Sequence, residues 1–136
     1  MRAFREAVES WDIDRVVSLM TEDVTFRSPV VHKAYQGRDE VSVILHAVSR
    51  VFEDFRYERQ IGADDSSDHA LVFRARVGDR ELEGCDFLRV NQAGLVEEFF
   101  VMIRPLSGAL ALAEAMRAEL ERDPGQGQVS PPMSNS

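Results

Sequence analysis

Four runs of alternating apolar and polar residues fill the second half of the chain, separated by short polar turns. They are Phe55 to Ile61, Leu71 to Val77, Glu81 to Val90 and Val96 to Ile103. A side-chain period of two is the strand signature. Gly78-Asp79 and Asn91-Gln92-Ala93-Gly94 read as hairpin turns, and Asp64-Asp65-Ser66-Ser67-Asp68 as a longer polar one. Strands joined this way lie antiparallel to their neighbours, so this half of the chain predicts a meander.

The first half is mostly helical. Phe4, Ala7, Val8 and Trp11 fall on one helical stripe, and Ile13, Val16, Val17 and Met20 on a second. The break lies at Ser10-Trp11-Asp12, where Asp12 is placed to cap the second helix. Val24 to Ser28 reads as a short strand, and Pro29 to Gly37 as an extended loop or edge segment. A third helix runs from Asp39 to about Asp54, with Val41, Ile44, Leu45, Val48 and Phe52 as its stripe. Ser107 is placed to cap a last helix ending near Arg122. Helices grouped before an antiparallel sheet give an α+β fold, and a sheet curved over helices gives a cone-shaped barrel with one open mouth, a usual place for a ligand. The expectation is one domain over residues 1–122 and a disordered tail over 123–136, rich in Gly, Pro, Ser, Gln and Asn.

Charge and composition exclude several partners. The net charge is −8, and Lys33 is the only lysine. Nucleic acids and anionic membrane surfaces reward clustered cations, so neither is expected. No stretch is apolar for long enough to span a membrane, and the N-terminus has no apolar signal region, which reads as a cytoplasmic protein. His32, His46 and His69 lack zinc-ligand spacing, and no glycine loop for phosphate is present, so neither a metal nor a cofactor is expected. His46 is expected on a helix surface and His69 in solvent, while Cys85 is expected as a buried, inert thiol.

Asp86 breaks the pattern. It shares a parity with Leu82, Gly84, Leu88 and Val90, the more apolar row of its strand. An ionised carboxylate in such a row is costly without a partner. It is either a structural acceptor, bonded to a hydroxyl, a backbone donor or an arginine, or an acid with a raised pKa kept for proton transfer. His32, in the loop after Pro29, is the candidate base opposite it, and Tyr35 and Ser28 are candidate ligand-orienting hydroxyls. Trp11, Phe52 and Phe55 are candidate pocket walls. On the last strand Phe99, Val101 and Ile103 form one row and Phe100 and Met102 the other. Both rows are apolar and both need cover. One row, with Phe99 and Val101, lines a pocket; the other is expected to meet a second subunit in a homodimer through the sheet.

Three segments carry a family resemblance. Met20-Thr21-Glu22-Asp23-Val24-Thr25-Phe26, Gly37-Arg38-Asp39-Glu40-Val41 and Asp86-Phe87-Leu88-Arg89-Val90-Asn91-Gln92-Ala93-Gly94-Leu95-Val96-Glu97-Glu98 resemble, in order and spacing, the nuclear-transport-factor-2-like superfamily over about residues 3 to 115. The relatives in view are SnoaL-like polyketide cyclases and ketosteroid isomerases. The resemblance implies a cone-shaped α+β barrel, commonly dimeric through its sheet, and no single activity. It implies for Asp86 the place of an oxyanion donor or an acid/base. It also implies losses: Ser28, before Pro29-Val30, stands where the isomerases carry a base, and Phe4 where they carry a tyrosine. Gly84 stands where epoxide hydrolases of this fold carry an arginine. The expected ligand is small and mostly apolar, with a carbonyl or hydroxyl, bound with or without cyclase- or isomerase-type chemistry; the alternative is a non-catalytic binding or accessory protein.

Overall fold

The structure, a computed structural model, describes residues 1–122; the tail expected over 123–136 lies outside the described residues. Two short helices open the chain, α1 (Arg2–Glu9) and α2 (Ile13–Ser18). The cap expected of Asp12 is present: its carboxylate accepts from the Arg15 amide at 3.2 Å. Strand β1 (Met20–Arg27) begins four residues earlier than the sequence pattern suggests, and a short edge strand, β2 (Ala34–Gln36), forms within the expected edge segment. Helix α3 (Gly37–Val51) stops short of the expected Asp54, because Phe52 turns extended and β3 (Glu53–Ile61) starts at once. Then come β4 (Asp68–Val77), β5 (Arg80–Val90), β6 (Val96–Arg104) and α4 (Leu106–Arg122). Helix α4 starts one residue before Ser107, with the Pro105 carbonyl accepting from the Ala109 amide, so Ser107 is not its cap.

The six strands run in the order β2-β1-β6-β5-β4-β3, a curved sheet that stays open. The expected meander is present, with β3, β4, β5 and β6 each antiparallel to the next. One pair departs from an all-antiparallel sheet: β1 lies parallel to β6. These two are joined through most of the chain rather than by a turn, so no hairpin dictates their direction.

Alternation decides the two faces. Leu71, Phe73, Ala75 and Val77 on β4, and Leu82, Gly84, Asp86 and Leu88 on β5, are buried against the helices. The opposite row carries ion pairs: Arg74 to Glu58 at 2.8 Å, Arg76 to Asp54 at 2.8 Å, Arg89 to Asp68 at 3.2 Å. Arg74 and Arg76 therefore pair with acids on the outer face, as the sequence implied.

Two side chains depart from expectation. His69 is buried rather than solvated, because the β3–β4 hairpin folds over it and its Nε2 lies 2.9 Å from the Ser66 carbonyl. Cys85 lies half-buried on the outer face of β5, rather than in the core, and burial pushes its thiol pKa up. His46 does sit on its helix surface, 3.5 Å from Asp14.

Candidate functional site

A floor of aromatic rings comes first, because it determines where a polar atom can sit. Tyr57 on β3 pairs with Phe73 on β4, and Phe73 with Gly84 on β5. At Gly84 a Cβ would fall 2.2 Å from the Phe73 Cζ, so only glycine lets that ring lie flat across β5. Phe55 stacks on Phe73 at 4.9 Å and Tyr57 meets it edge-on at 6.4 Å. Two residues along from Gly84, Asp86 faces inward between Leu71 and Val101.

Asp86 is 4% exposed, and its Oδ2 accepts from the Tyr57 hydroxyl at 2.6 Å. Among the described residues this is the one side-chain bond to its carboxyl. Burial pushes the Asp86 pKa up to about 7, against a smaller lowering by the Tyr57 bond. Tyr57 moves the same way: burial, and then the neighbouring Asp86, hold its hydroxyl well above the usual range. Tyr57 therefore keeps its proton near neutrality and remains a donor, while Asp86 changes charge there. Arg5 lies 5.8 Å from the Tyr57 ring centre.

The acid opens into a narrow cavity of about 70 Å³. Phe99, Val101 and Ile103 supply the sheet wall, Trp11, Phe52 and Phe55 a half-exposed aromatic wall, and Leu45, Val48 and Leu112 the helical one. Asp86 is the only ionisable residue among the described walls. So little free room means that a ring-sized ligand requires the half-exposed aromatics to shift. Trp11 holds φ at 56°, a backbone conformation that a bulky residue rarely adopts, and rests 5.2 Å from Phe55.

The remaining sequence candidates separate. Ser28 and Tyr35 line a smaller neighbouring cavity of about 30 Å³, not the one holding Asp86. Tyr35 is fully buried, and burial followed by the charge of Glu40 raises its pKa. His32 is exposed on the β1–β2 loop and is not among the walls of either cavity. Phe4 packs edge-on to Phe99 at 5.6 Å in the core. Tyr57 was not singled out in the sequence, although its signal was present: it shares a strand face with Phe55, and a buried acid needs a hydroxyl or similar donor. Leu112 was missed because a leucine on an apolar helix stripe reads as ordinary core.

No curated protein matches the chain. Among solved structures, an uncharacterized protein conserved in bacteria with a cystatin-like fold, from Silicibacter pomeroyi DSS-3, is 35% identical, covering 91% of this chain and 86% of that one, with a TM-score of 0.86. A steroid delta-isomerase from Pseudomonas aeruginosa is 42% identical, covering 88% of each chain, with a TM-score of 0.83. An NTF-2 like protein of unknown function from Burkholderia xenovorans LB400, 14% identical over 75% of this chain and 77% of that one, shares the fold at a TM-score of 0.64. The SnoaL-like domain matches residues 1–99, which hold Asp86, Tyr57 and most of the cavity walls. With its cone-shaped α+β architecture, the chain belongs to the SnoaL-like family of the nuclear-transport-factor-2-like fold.

Proposed function

We propose that this protein binds a small, mostly apolar molecule bearing a carbonyl or hydroxyl inside the cone, and that Asp86 handles the ligand oxygen. The observation that carries the reading is a carboxyl with a pKa of about 7 at the wall of an apolar cavity, bonded to a tyrosine that keeps its proton. Below that pKa the neutral acid donates to a carbonyl oxygen, and Tyr57 supports it by donating to the other carboxyl oxygen. Charge building on the ligand oxygen would meet a preset donor in a dry site. That is the part of an isomerase- or cyclase-type reaction which the geometry supports, and the steroid delta-isomerase relative agrees with it. His32 has no part in this arrangement while the β1–β2 loop keeps it exposed.

A non-catalytic binder is the second reading, and one observation favours it: no other ionisable group among the described residues lines the cavity to act as a base opposite Asp86. One experiment addresses both. Asp86 is followed by carboxyl NMR while hexyl methyl ketone is titrated in at several pH values. Asp86 titrating near 7, with ketone binding that weakens above that pH, supports the donor role. An Asp86 pKa in the ordinary range near 4 with pH-independent binding removes it. Proton exchange at the ketone's α-carbons, followed in deuterated water, then distinguishes enzyme from binder.

The same reading includes a homodimer through the outer sheet face. Phe87 and Met102 are 40% and 52% exposed there, and Phe87 lies 5.9 Å from the Phe100 ring. The Arg89–Asp68 and Arg104–Glu83 pairs flank this patch, an apolar centre with a polar rim. Sedimentation showing a monomer at micromolar concentration would overturn it. Among the described residues no helix is long and apolar enough to cross a membrane.

A further inference from the structure

The two cavities share four walls: Phe26, Pro29, Val48 and Leu112. Asp86 stands in the larger space, and Ser28 and Tyr35 line the smaller one. The shared walls come from both sides, Phe26 from β1 and Pro29 just after it, Val48 from α3 and Leu112 from α4. Ser28 Oγ accepts from the Val30 amide at 3.2 Å, which leaves its own proton for another acceptor. Neither cavity has a lysine, arginine or histidine among its described walls. A carboxylate or phosphate ligand would therefore meet Asp86 with no cation to offset it.

We propose that the two cavities form one bipartite site for an elongated, neutral, mostly apolar molecule, with an oxygen at the Asp86 end, and that Leu112 is the residue that sets how long that molecule can be. The proposal rests on the reading that Asp86 receives a ligand oxygen. Of the four shared walls, Val48 and Leu112 are flexible aliphatic side chains, and a change of rotamer there would join the two spaces. A second oxygen at the far end of the ligand would find the Ser28 hydroxyl. Helix α4 thus has a role beyond covering the core: it brings Leu112 to the passage and Met116 to the far chamber.

The test compares hexyl methyl ketone with decyl methyl ketone by calorimetry. Each methylene that stays buried adds about fourfold in affinity, so the longer ketone is expected to bind at least about tenfold tighter. Leu112→Ala also trims the wall of the Asp86 cavity, so both affinities are measured, and the ratio between the two ketones is expected to widen by about threefold or more. Val30→Phe fills the far chamber and is expected to abolish the advantage of the longer ketone alone; Met116→Phe does so from the α4 side and stands in if Val30→Phe fails to fold. Leu120→Ala removes an equally buried α4 side chain that lines neither cavity, and is expected to lower stability without changing the ratio. If the short ketone binds but the longer one gains nothing, in the native chain and in Leu112→Ala alike, the bipartite site is wrong and the Asp86 reading stands. If neither ketone binds, both fall.

Discussion

Asp86 and Glu119 are both covered from solvent, 4% and 9% exposed, but Asp86 lies deep in the molecule and Glu119 close to its surface, and their electrostatic outcomes are opposite. Glu119 joins α4 to α3: its carboxylate accepts from the Arg50 guanidinium and, at 3.0 Å, from Arg122. The Arg50 bond, with the help of Arg122, outweighs burial and holds its pKa below the usual carboxylate range. Asp86 has no guanidinium, only a neutral hydroxyl, and burial dominates. The difference shows that burial alone does not mark an acid for chemistry. Depth and partner act together: near the surface a cation fixes the charge and removes the group from titration near neutrality, whereas deep burial beside a hydroxyl leaves the proton in play.

The most direct way to break the comparison is Asp86→Asn. Asp86 ordinarily titrates near 3.8 and in the fold near 7. Between those values the folded chain binds a proton that the unfolded chain does not. Stability is therefore greatest below the unfolded pKa, falls as pH rises toward 7 and is flat above it, a loss on the order of 4 kcal/mol. Asparagine carries no such charge and still accepts from Tyr57. Urea unfolding at about pH 8 is expected to show Asp86→Asn more stable than the native chain by roughly 2–4 kcal/mol, and at about pH 4 nearly equal to it. A variant destabilised alike at both pH values would make Asp86 a structural acceptor. Gly84→Ala attacks the apolar half of the same site. Its Cβ collides with the Phe73 ring, so a loss of roughly 1–3 kcal/mol is expected by thermal unfolding, and unchanged stability would mean that the ring is free to leave.

Glu119→Gln tests the other side. A lowered pKa gives stability that is present above the unfolded pKa and lost as pH falls through the folded one, the reverse of Asp86. Arg122 is largely exposed and Arg50 partly so, which screens the pair. About 1 kcal/mol of destabilisation is expected at neutral pH, vanishing in acid. If the loss persists in acid, packing rather than charge holds α4 in place.

These two acids were not equally legible. Asp86 stood out because a strand's period of two puts it on a definite face, and its neighbours declared that face apolar. Glu119 carried no comparable signal. It lies among Ala, Arg and Glu on a helix whose polar residues read as solvent-facing, and its partner Arg50 is remote in the chain. Strands, their turns and the capped α2 were readable because local chemistry decides them; the parallel β1–β6 pairing and the burial of His69 depend on contacts between distant segments. The site divided in the same way. Trp11, Phe52, Phe55, Phe99 and Val101 surround the Asp86 cavity, as large apolar residues on inward faces tend to. Ser28, Tyr35 and His32 lie elsewhere, because the course of the loop from Ser28 to Lys33 is set by no periodicity.

Tyr57→Phe makes the finest cut, since it changes one hydroxyl and leaves the ring that packs on Phe55 and Phe73. The Tyr57 bond is the one influence lowering the Asp86 pKa against burial. Removing it is therefore expected to move the Asp86 titration upward from about 7 by roughly one unit, read by carboxyl NMR. The neutral acid would then persist to higher pH, and ketone binding would hold over a wider range. A downward shift would mean that water enters when the hydroxyl leaves and solvates the carboxylate better than tyrosine does. In that case it is the dryness of the cavity, guarded by Tyr57, that separates Asp86 from Glu119, more than the hydrogen bond itself.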